Sequence, residues 1–136
     1  MGRILALDYG SKRTGIAITD ELQLIASGLT TVATADLMDF LKKYIASEKV
    51  DLVLVGEPIQ KDGSHSTIEE QIQQFLKKFS EVFPDLEVKR VDERYTSKMA
   101  FQTMIDSGLK KKQRQNKALV DEISATIILQ EFLYNK

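Results

Sequence analysis

Four carboxylates of this chain stand where an apolar element ends or begins, positions from which they could hold a metal ion. Asp8 closes the apolar run of residues 4–7, and a carboxylate there is costly to desolvate unless a cation or hydrogen-bond donors meet it. Glu57 and Glu93 follow two other apolar runs, and Asp121 heads a long apolar helical pattern. Mg²⁺ and Mn²⁺ prefer oxygen ligands of this kind. The acids therefore predict a site for a divalent cation.

Each of these acids also has a purely structural interpretation. Asp8 could cap the turn that follows it, and Asp121 could stabilise a helix N-terminus through the helix macrodipole. Glu57 precedes a proline, so an ordinary surface loop is an equal alternative for it. Either Asp92 or Glu93 should point inward while the other caps the next helix, and the residue types do not decide between them.

Basic residues are concentrated in two places that could contact phosphate. Lys12 and Arg13 lie in a glycine-bounded turn, residues 10–15, and a second stretch without acids contains Lys110, Lys111, Lys112, Arg114 and Lys117. The turn is not a Walker loop, because Ile16 and Ala17 occupy the positions of its Lys and Ser/Thr and a strand pattern follows instead of a helix. Solvated surface loops are the alternative for both stretches.

The composition describes an ordinary globular protein and excludes several kinds of site. The 136 residues fit one domain, residues 1–136, with 43% hydrophobic and 29% charged residues. No cysteine is present, and the single histidine, His65, cannot supply a zinc site. A formal charge of −1 gives no global attraction to nucleic acid, so local patches would have to bind it. Without a signal-peptide or membrane-spanning pattern, we expect a cytoplasmic protein that binds no membrane.

The hydrophobic periodicity predicts the order β-β-β-α-β-α-β-α-α. Strands are predicted at residues 3–8, 14–19, 25–32, 51–56 and 86–91, and helices at residues 35–45, 68–79, 97–107 and 118–134. Gly28 should mark a bulge, and Thr34 or Asp36 should cap the first helix. The meander followed by alternating β/α units predicts an α/β fold, a mixed five-stranded sheet with helices on both faces.

The predicted elements would bring the acids together. Ligands of such sheets gather at the carboxyl ends of the parallel strands, which are the ends that carry Asp8, Glu57 and the pair at 92–93. Asp121 begins a helical row that continues through 125, 128 and 132, with the small Ser124 beside it. This row can pack on the sheet and place Asp121 near the first strand's end.

Four ordered motifs resemble the YqgF (RuvX) family, small RNase H-like proteins described as Holliday junction resolvases and as nucleases of ribosomal RNA maturation. They are DYGSKRTGIAITD at 8–20, VGEP at 55–58 with DGS at 62–64, DERYTS at 92–97, and VDEISA at 120–125. The resemblance implies an RNase H-like fold with strand order 3-2-1-4-5, in which the second strand is antiparallel. It also implies that Asp8, Glu93 and Asp121 are the catalytic acids and the ligands of Mg²⁺ or Mn²⁺, with two ions expected.

The chain departs from the family pattern at Glu57, where an apolar residue is usual, and at Tyr95, where Leu is common. Glu57 is therefore the alternative ligand that could assist or replace Glu93. The implied activity is metal-dependent hydrolysis of phosphodiester bonds, with the nucleic-acid backbone held by Lys12, Arg13, Arg94, Lys110, Lys111, Lys112 and Arg114.

For the substrate, the resemblance favours the 5′ end of the 16S ribosomal RNA precursor. Paired cuts in a four-way DNA junction usually require a two-fold dimer, and no dimer face is visible, so a monomer is favoured. Junction resolution in recombination and a non-catalytic RNA-binding role in ribosome assembly remain the alternatives.

Overall fold

The computed structural model describes residues 2–58, 67–92 and 116–134. Its strands are β1 (Arg3–Tyr9), β2 (Arg13–Thr19), β3 (Ala26–Ala33), β4 (Val50–Glu57) and β5 (Glu87–Asp92). Its α-helices are α1 (Leu37–Ser47), which follows a short 3₁₀ turn at Thr34–Asp36, then α2 (Glu69–Val82) and α3 (Lys117–Tyr134). None of these helices is long and apolar enough to cross a membrane.

The five strands form one sheet in the order β3-β2-β1-β4-β5. Short turns join β1, β2 and β3, which therefore pair antiparallel, whereas β1, β4 and β5 pair in parallel because helical connections return the chain to the same end. The predicted α/β class, the strand order and the antiparallel second strand are confirmed. As a result, the carboxyl ends of β1, β4 and β5 lie along one edge of the sheet.

Alternation along the strands separates two hydrophobic cores, one on each face of the sheet. On β1, Leu5 and Leu7 pack against α1 and α2, whereas Ile4 and Ala6 pack against α3. We call these sides the α1/α2 face and the α3 face. The β4 side chains alternate likewise: Val53 and Val55 belong to the first core, and Leu52 and Leu54 belong to the second. The face of any strand residue can therefore be assigned by counting from these core positions.

Two local predictions have different outcomes. The β2–β3 pairing shifts register opposite Gly28, so the irregularity expected there is confirmed. The capping prediction for α1 is wrong: Asp36 is the N-cap residue but makes no side-chain capping bond, and the Thr34 hydroxyl donates instead to the carbonyl oxygen of Gly10 at 2.6 Å. The helix predicted at residues 97–107 lies outside the described residues.

Candidate active site

Asp8 is the penultimate residue of β1 and lies at the edge where the parallel strands end. Counting in steps of two from Ile4 and Ala6 places its side chain on the α3 face, while Tyr9 belongs to the α1/α2 face. The carboxylate is partly exposed, since it lies past the buried part of the strand. Asp8 can therefore act on a ligand that approaches this edge from the side of α3.

Gly15 lets the α3 backbone at Asp121 pack over the strand residue that is paired with Asp8. Asp8 pairs with Gly15 across the β1–β2 ladder, and directly paired residues of antiparallel strands share a face. A Cβ added to Gly15 would overlap the carbonyl oxygen of Asp121, so the backbone of α3 lies directly over this glycine. The missing side chain of residue 15 is thus what lets the helix carrying Asp121 approach Asp8.

The start of α3 is held in this position by further contacts. The Thr31 hydroxyl on β3 donates to the carbonyl oxygen of Ala118 at 2.6 Å, and the Asn116 side chain accepts from the Leu119 amide at 3.3 Å, as expected of the predicted helix cap. Asp121 is not in the first turn of α3. The macrodipole interpretation of this acid therefore loses its basis, because the effect fades within that turn.

Arg13 is the immediate partner of Asp121. Its Nε lies 3.0 Å from Asp121 Oδ2, in an ion pair whose side chains are 37% and 23% exposed. Arg13 begins β2, two residues before Gly15, so it shares the α3 face with the two acids. The cation predicted to contact phosphate therefore lies within the acidic site. Lys12, the residue before it, is exposed to solvent.

A hydroxyl network fixes the turn that carries Lys12. The Thr34 hydroxyl donates to the Gly10 carbonyl, and the Thr14 hydroxyl must then donate to Thr34, at 2.9 Å, because a hydroxyl has only one proton. The Thr34 amide also donates to the Lys12 carbonyl at 2.9 Å. Both ends of the turn are therefore tied to the 3₁₀ turn that precedes α1.

Glu57 lies at the same edge of the sheet but on the opposite face. It is the last residue of β4, two positions after Val55 and four after Val53 in the α1/α2 core, and it pairs with Asp92 across the β4–β5 ladder. Asp92 likewise continues the face of Val88 in that core. Strand alternation therefore separates Glu57 and Asp92 from Asp8 and Asp121, which lie on the α3 face.

Tyr9, the neighbour of Asp8, packs into the core on the α1/α2 face. Its ring packs on Phe75 of α2 with centroids 5.3 Å apart, the first of a series of aromatic contacts that continues through Phe79 to Phe83. Burial raises the pKa of the Tyr9 hydroxyl. The shift extends to higher pH the neutral form that a tyrosine already has at neutral pH.

The family model described as "RuvX: Holliday junction resolvase" matches residues 2–135. The chain belongs to the RuvX family. The RNase H-like fold predicted from the resemblance is therefore confirmed by two independent observations, the observed strand order and the family match.

Several RuvX relatives match along nearly their whole length, each under the name "Putative pre-16S rRNA nuclease". The protein of Flavobacterium johnsoniae is 65% identical over 136 residues, covering 100% of this chain and 99% of its own. That of Phocaeicola vulgatus is 56% identical, with 100% and 98% covered. That of Porphyromonas gingivalis is 48% identical, with 99% and 98% covered.

The remaining site residues predicted for this RuvX chain lie outside the described residues. These are Glu93, Arg94, Lys110, Lys111, Lys112 and Arg114. Within residues 2–58, 67–92 and 116–134, no three Asp, Glu or His side chains are grouped closely enough to hold a metal ion. Asp8 and Asp121 are two of the three predicted ligands, and the third, Glu93, lies outside the described residues.

One pair of charged residues near the same edge of the sheet was not predicted from the sequence. Arg90 of β5 and Glu69 of α2 form an ion pair with an N–O distance of 2.7 Å, and their side chains are only 20% and 10% exposed. A signal was present, because Glu69 stands three residues before Ile72 on the buried face of α2. A carboxylate on that face requires a cationic partner, although the sequence does not identify which one.

Proposed function

We propose that this chain is an endonuclease that hydrolyses RNA phosphodiester bonds with the help of divalent cations, in 5′-end processing of the 16S ribosomal RNA precursor. The observation that carries the proposal is the approach of α3 to Gly15, since the Asp121 backbone lies over the cross-strand partner of Asp8 at the carboxyl edge of the sheet. The curated relatives named for this activity, up to 65% identical over the full chain, support the substrate.

The acids fit a hard divalent cation. Asp8 and Asp121 offer carboxylate oxygens on one face, and both are partly exposed, so an ion can reach them without unfolding the core. We propose Glu93 as the third ligand in preference to Glu57, because Glu93 matches the acid of the family motif and the Glu57 side chain lies on the face opposite Asp8 and Asp121. Bound Mg²⁺ or Mn²⁺, with two ions expected, would lower the pKa of the attacking water and stabilise the leaving oxygen.

Arg13 has two roles in this proposal. While it pairs with Asp121 it balances part of the negative charge that neighbouring carboxylates accumulate. Its half-exposed guanidinium can also donate to a phosphate oxygen at the same edge, with Lys12 next to it. Arg94, Lys110, Lys111, Lys112 and Arg114 extend the proposed contact along the nucleic-acid backbone, which would make binding salt-dependent and largely independent of sequence.

The test compares cleavage of two substrates by the purified full-length chain. One is a labelled precursor RNA containing the 5′ end of 16S ribosomal RNA, and the other is a synthetic four-way DNA junction. Each is incubated with Mg²⁺, with Mn²⁺ or with a chelator. We expect RNA cleavage that requires the metal. The family description makes junction resolution the second candidate, and cleavage of the junction alone would replace the RNA proposal with it.

The decisive variant is Asp8→Asn, which keeps the shape of the side chain and removes its charge. Loss of a metal ligand worth several kcal/mol should reduce cleavage at least about 100-fold while the melting temperature stays near that of the parent. Asp85→Asn is the matched control, because Asp85 is exposed and precedes β5 at the opposite edge of the sheet. Unchanged cleavage by Asp8→Asn would contradict the mechanism. If the parent chain itself binds the RNA but never cleaves it, a non-catalytic assembly role would be favoured.

A further inference from the structure

Arg90 and Glu69 form a hydrogen-bonded ion pair beside the proposed site. Two guanidinium nitrogens of Arg90 donate to the two carboxylate oxygens of Glu69, at 2.7 and 2.8 Å. The Gln73 amide, one turn along α2, donates to the same carboxylate at 2.6 Å. The fork geometry matches the planar guanidinium to the carboxylate, which defines the orientation of Arg90 as well as its charge.

The same guanidinium also binds the end of β4. Its Nε donates to the Val55 carbonyl at 3.2 Å, and the nitrogen that meets Glu69 at 2.7 Å also donates to the Gly56 carbonyl at 2.9 Å. One side chain therefore joins three elements: β5, from which it extends, the carboxyl end of β4 and the first turn of α2. Glu69 sets the direction in which Arg90 can donate.

The bound carbonyls are next to Asp8. Leu7 pairs with Val55 in the parallel β1–β4 ladder, so Asp8 and Gly56 are the residues that follow this pair on their two strands. On the other side of β4, Gly56 pairs with Val91 of β5. The backbone held by Arg90 therefore forms the part of the edge between Asp8 and the end of β5.

Stability alone does not require charges here. The pair lies beside apolar residues of the α1/α2 core such as Ile72 and Phe75, and well-packed apolar side chains often replace a buried ion pair without loss of stability. What an apolar pair cannot reproduce is the set of donors to the Val55 and Gly56 carbonyls. The distinctive contribution of Arg90 is therefore geometric.

We propose that Arg90, oriented by Glu69, is a positioning residue of the catalytic site. It holds the carboxyl ends of β4 and β5 in register beside Asp8. The acids at this edge would then keep a constant position relative to the metal and the scissile phosphate. The inference rests on the proposed nuclease function. It assigns no contact between Arg90 and the substrate.

The experiment removes the pair as a unit. The double variant Arg90→Met/Glu69→Met should fold with a melting temperature near that of the parent. We expect kcat for the precursor RNA to fall about 10-fold or more while KM changes little, as is typical when residues that support metal ligands are lost. Mn²⁺ affinity, measured by the EPR signal of the free ion, should weaken by a similar factor.

Two single variants distinguish the hydrogen-bond geometry of Arg90 from its positive charge. They also test the proposal if the double variant does not fold. Arg90→Lys keeps the positive charge but cannot form the fork to Glu69 and bind both carbonyls, so it should retain most stability and still lose kcat. Glu69→Gln keeps an acceptor and should lose less activity than Arg90→Lys. Equal kcat in Arg90→Lys and the parent would overturn the proposal.

The matched control is Arg3→Met/Glu48→Met at the opposite edge of the sheet. Arg3 also pairs with a glutamate, at 3.4 Å, and donates to a strand-end carbonyl, that of Thr19, at 3.0 Å. This double variant should change the melting temperature without changing kcat or Mn²⁺ affinity. An equal loss of kcat in both double variants would mean a merely structural role for Arg90.

Failure of this inference is distinguishable from failure of the proposed function. If the parent cleaves RNA and the Arg90→Met/Glu69→Met variant cleaves it equally well, the positioning role is wrong and the nuclease function stands. If the parent cleaves neither substrate, the nuclease function fails, and Mn²⁺ affinity still decides whether Arg90 positions a metal site. Unchanged Mn²⁺ affinity would then overturn the proposal.

Discussion

Gly15 of β2 lies directly under the backbone of Asp121, whose carbonyl oxygen occupies the space that a Cβ at residue 15 would need. Gly15 is also the cross-strand partner of Asp8. The distance between the two acids therefore depends on the absence of one side chain, and enlarging residue 15 should move the helix that carries Asp121.

Gly15→Ala should accordingly weaken both the fold and the site. Overlap with backbone atoms cannot be relieved by a rotamer change, so we expect a loss of about 1–3 kcal/mol in the free energy of unfolding together with a large loss of metal-dependent cleavage. Denaturant unfolding and RNA cleavage measure the two effects. Gly28→Ala is the matched control, because the three atoms nearest to its added Cβ all belong to the side chain of Glu122 on the same helix, which can rearrange, and none belongs to the backbone. Equal effects of the two substitutions would contradict the steric account.

Arg13→Gln should weaken the affinity for RNA while changing the free energy of unfolding only slightly. The ion pair with Asp121 is partly exposed, so its loss should change the free energy of unfolding by no more than about 1 kcal/mol. If Arg13 also contacts phosphate, the slope of log affinity against log salt concentration should fall by about 0.7, the value for one contact to single-stranded nucleic acid. Lys43→Gln on the exposed surface of α1 is the control. A slope identical to that of the parent would exclude the phosphate contact.

Thr34→Val should destabilise the protein more than Thr14→Val. The first change leaves the Gly10 carbonyl without this donor and removes the acceptor of Thr14, whereas the second removes a single hydrogen bond. We expect Thr34→Val to lower the free energy of unfolding by about 1–3 kcal/mol, measured by denaturant unfolding. The loss in the double variant should be smaller than the sum of the losses in the two single variants. A larger loss of unfolding free energy in Thr14→Val would contradict the arrangement in which Thr14 donates to Thr34 and Thr34 donates to Gly10.

Asp20 should make stability depend on pH in the acid range. Hydrogen bonds from the backbone amides of Ile25 and Leu24 lower the pKa of its carboxyl below the usual value. A carboxyl with a lowered folded-state pKa contributes stability above its unfolded pKa of about 3.9 and loses it as pH falls toward the folded-state value. Asp20→Asn keeps the acceptor without the charge. The parent should melt at a higher temperature than Asp20→Asn at pH 7, and the gap should close below about pH 4. A gap independent of pH would contradict this assignment.

The described strands and helices were predictable because their signals are local. The continuous apolar run at residues 52–55 predicted the doubly covered strand β4, and the spacing of Ile72, Phe75 and Phe79 predicted the buried face of α2. Asn116 was likewise recognisable as the cap of α3 from its position before the helical pattern. The cap of α1 was predicted wrongly, because the Thr34 hydroxyl is engaged by the Gly10 carbonyl, 24 residues away in the chain.

The pairing of charged residues was not predictable in the same way. Arg13 and Asp121 are 108 residues apart, and Arg90 and Glu69 are 21 apart. Each residue alone was ambiguous, since a turn cation or a helix-start acid is usually a solvated surface group. Their partners follow from which elements meet in space, and periodicity within one element does not contain that information.

The sequence by itself determined the described elements, their order and the set of acids near strand and helix ends. This was possible because the spacing of apolar residues within each segment follows the period of the strand or helix that the segment forms. Only the tertiary structure decided which acids share a face. It set Asp8 and Asp121 on the α3 face and Glu57 on the opposite one, because facing depends on strand register and on how closely α3 approaches Gly15. Both are properties of packed elements, since a shift of one residue in register would turn the strand side chains of Asp8 and Glu57 to the other side of the sheet.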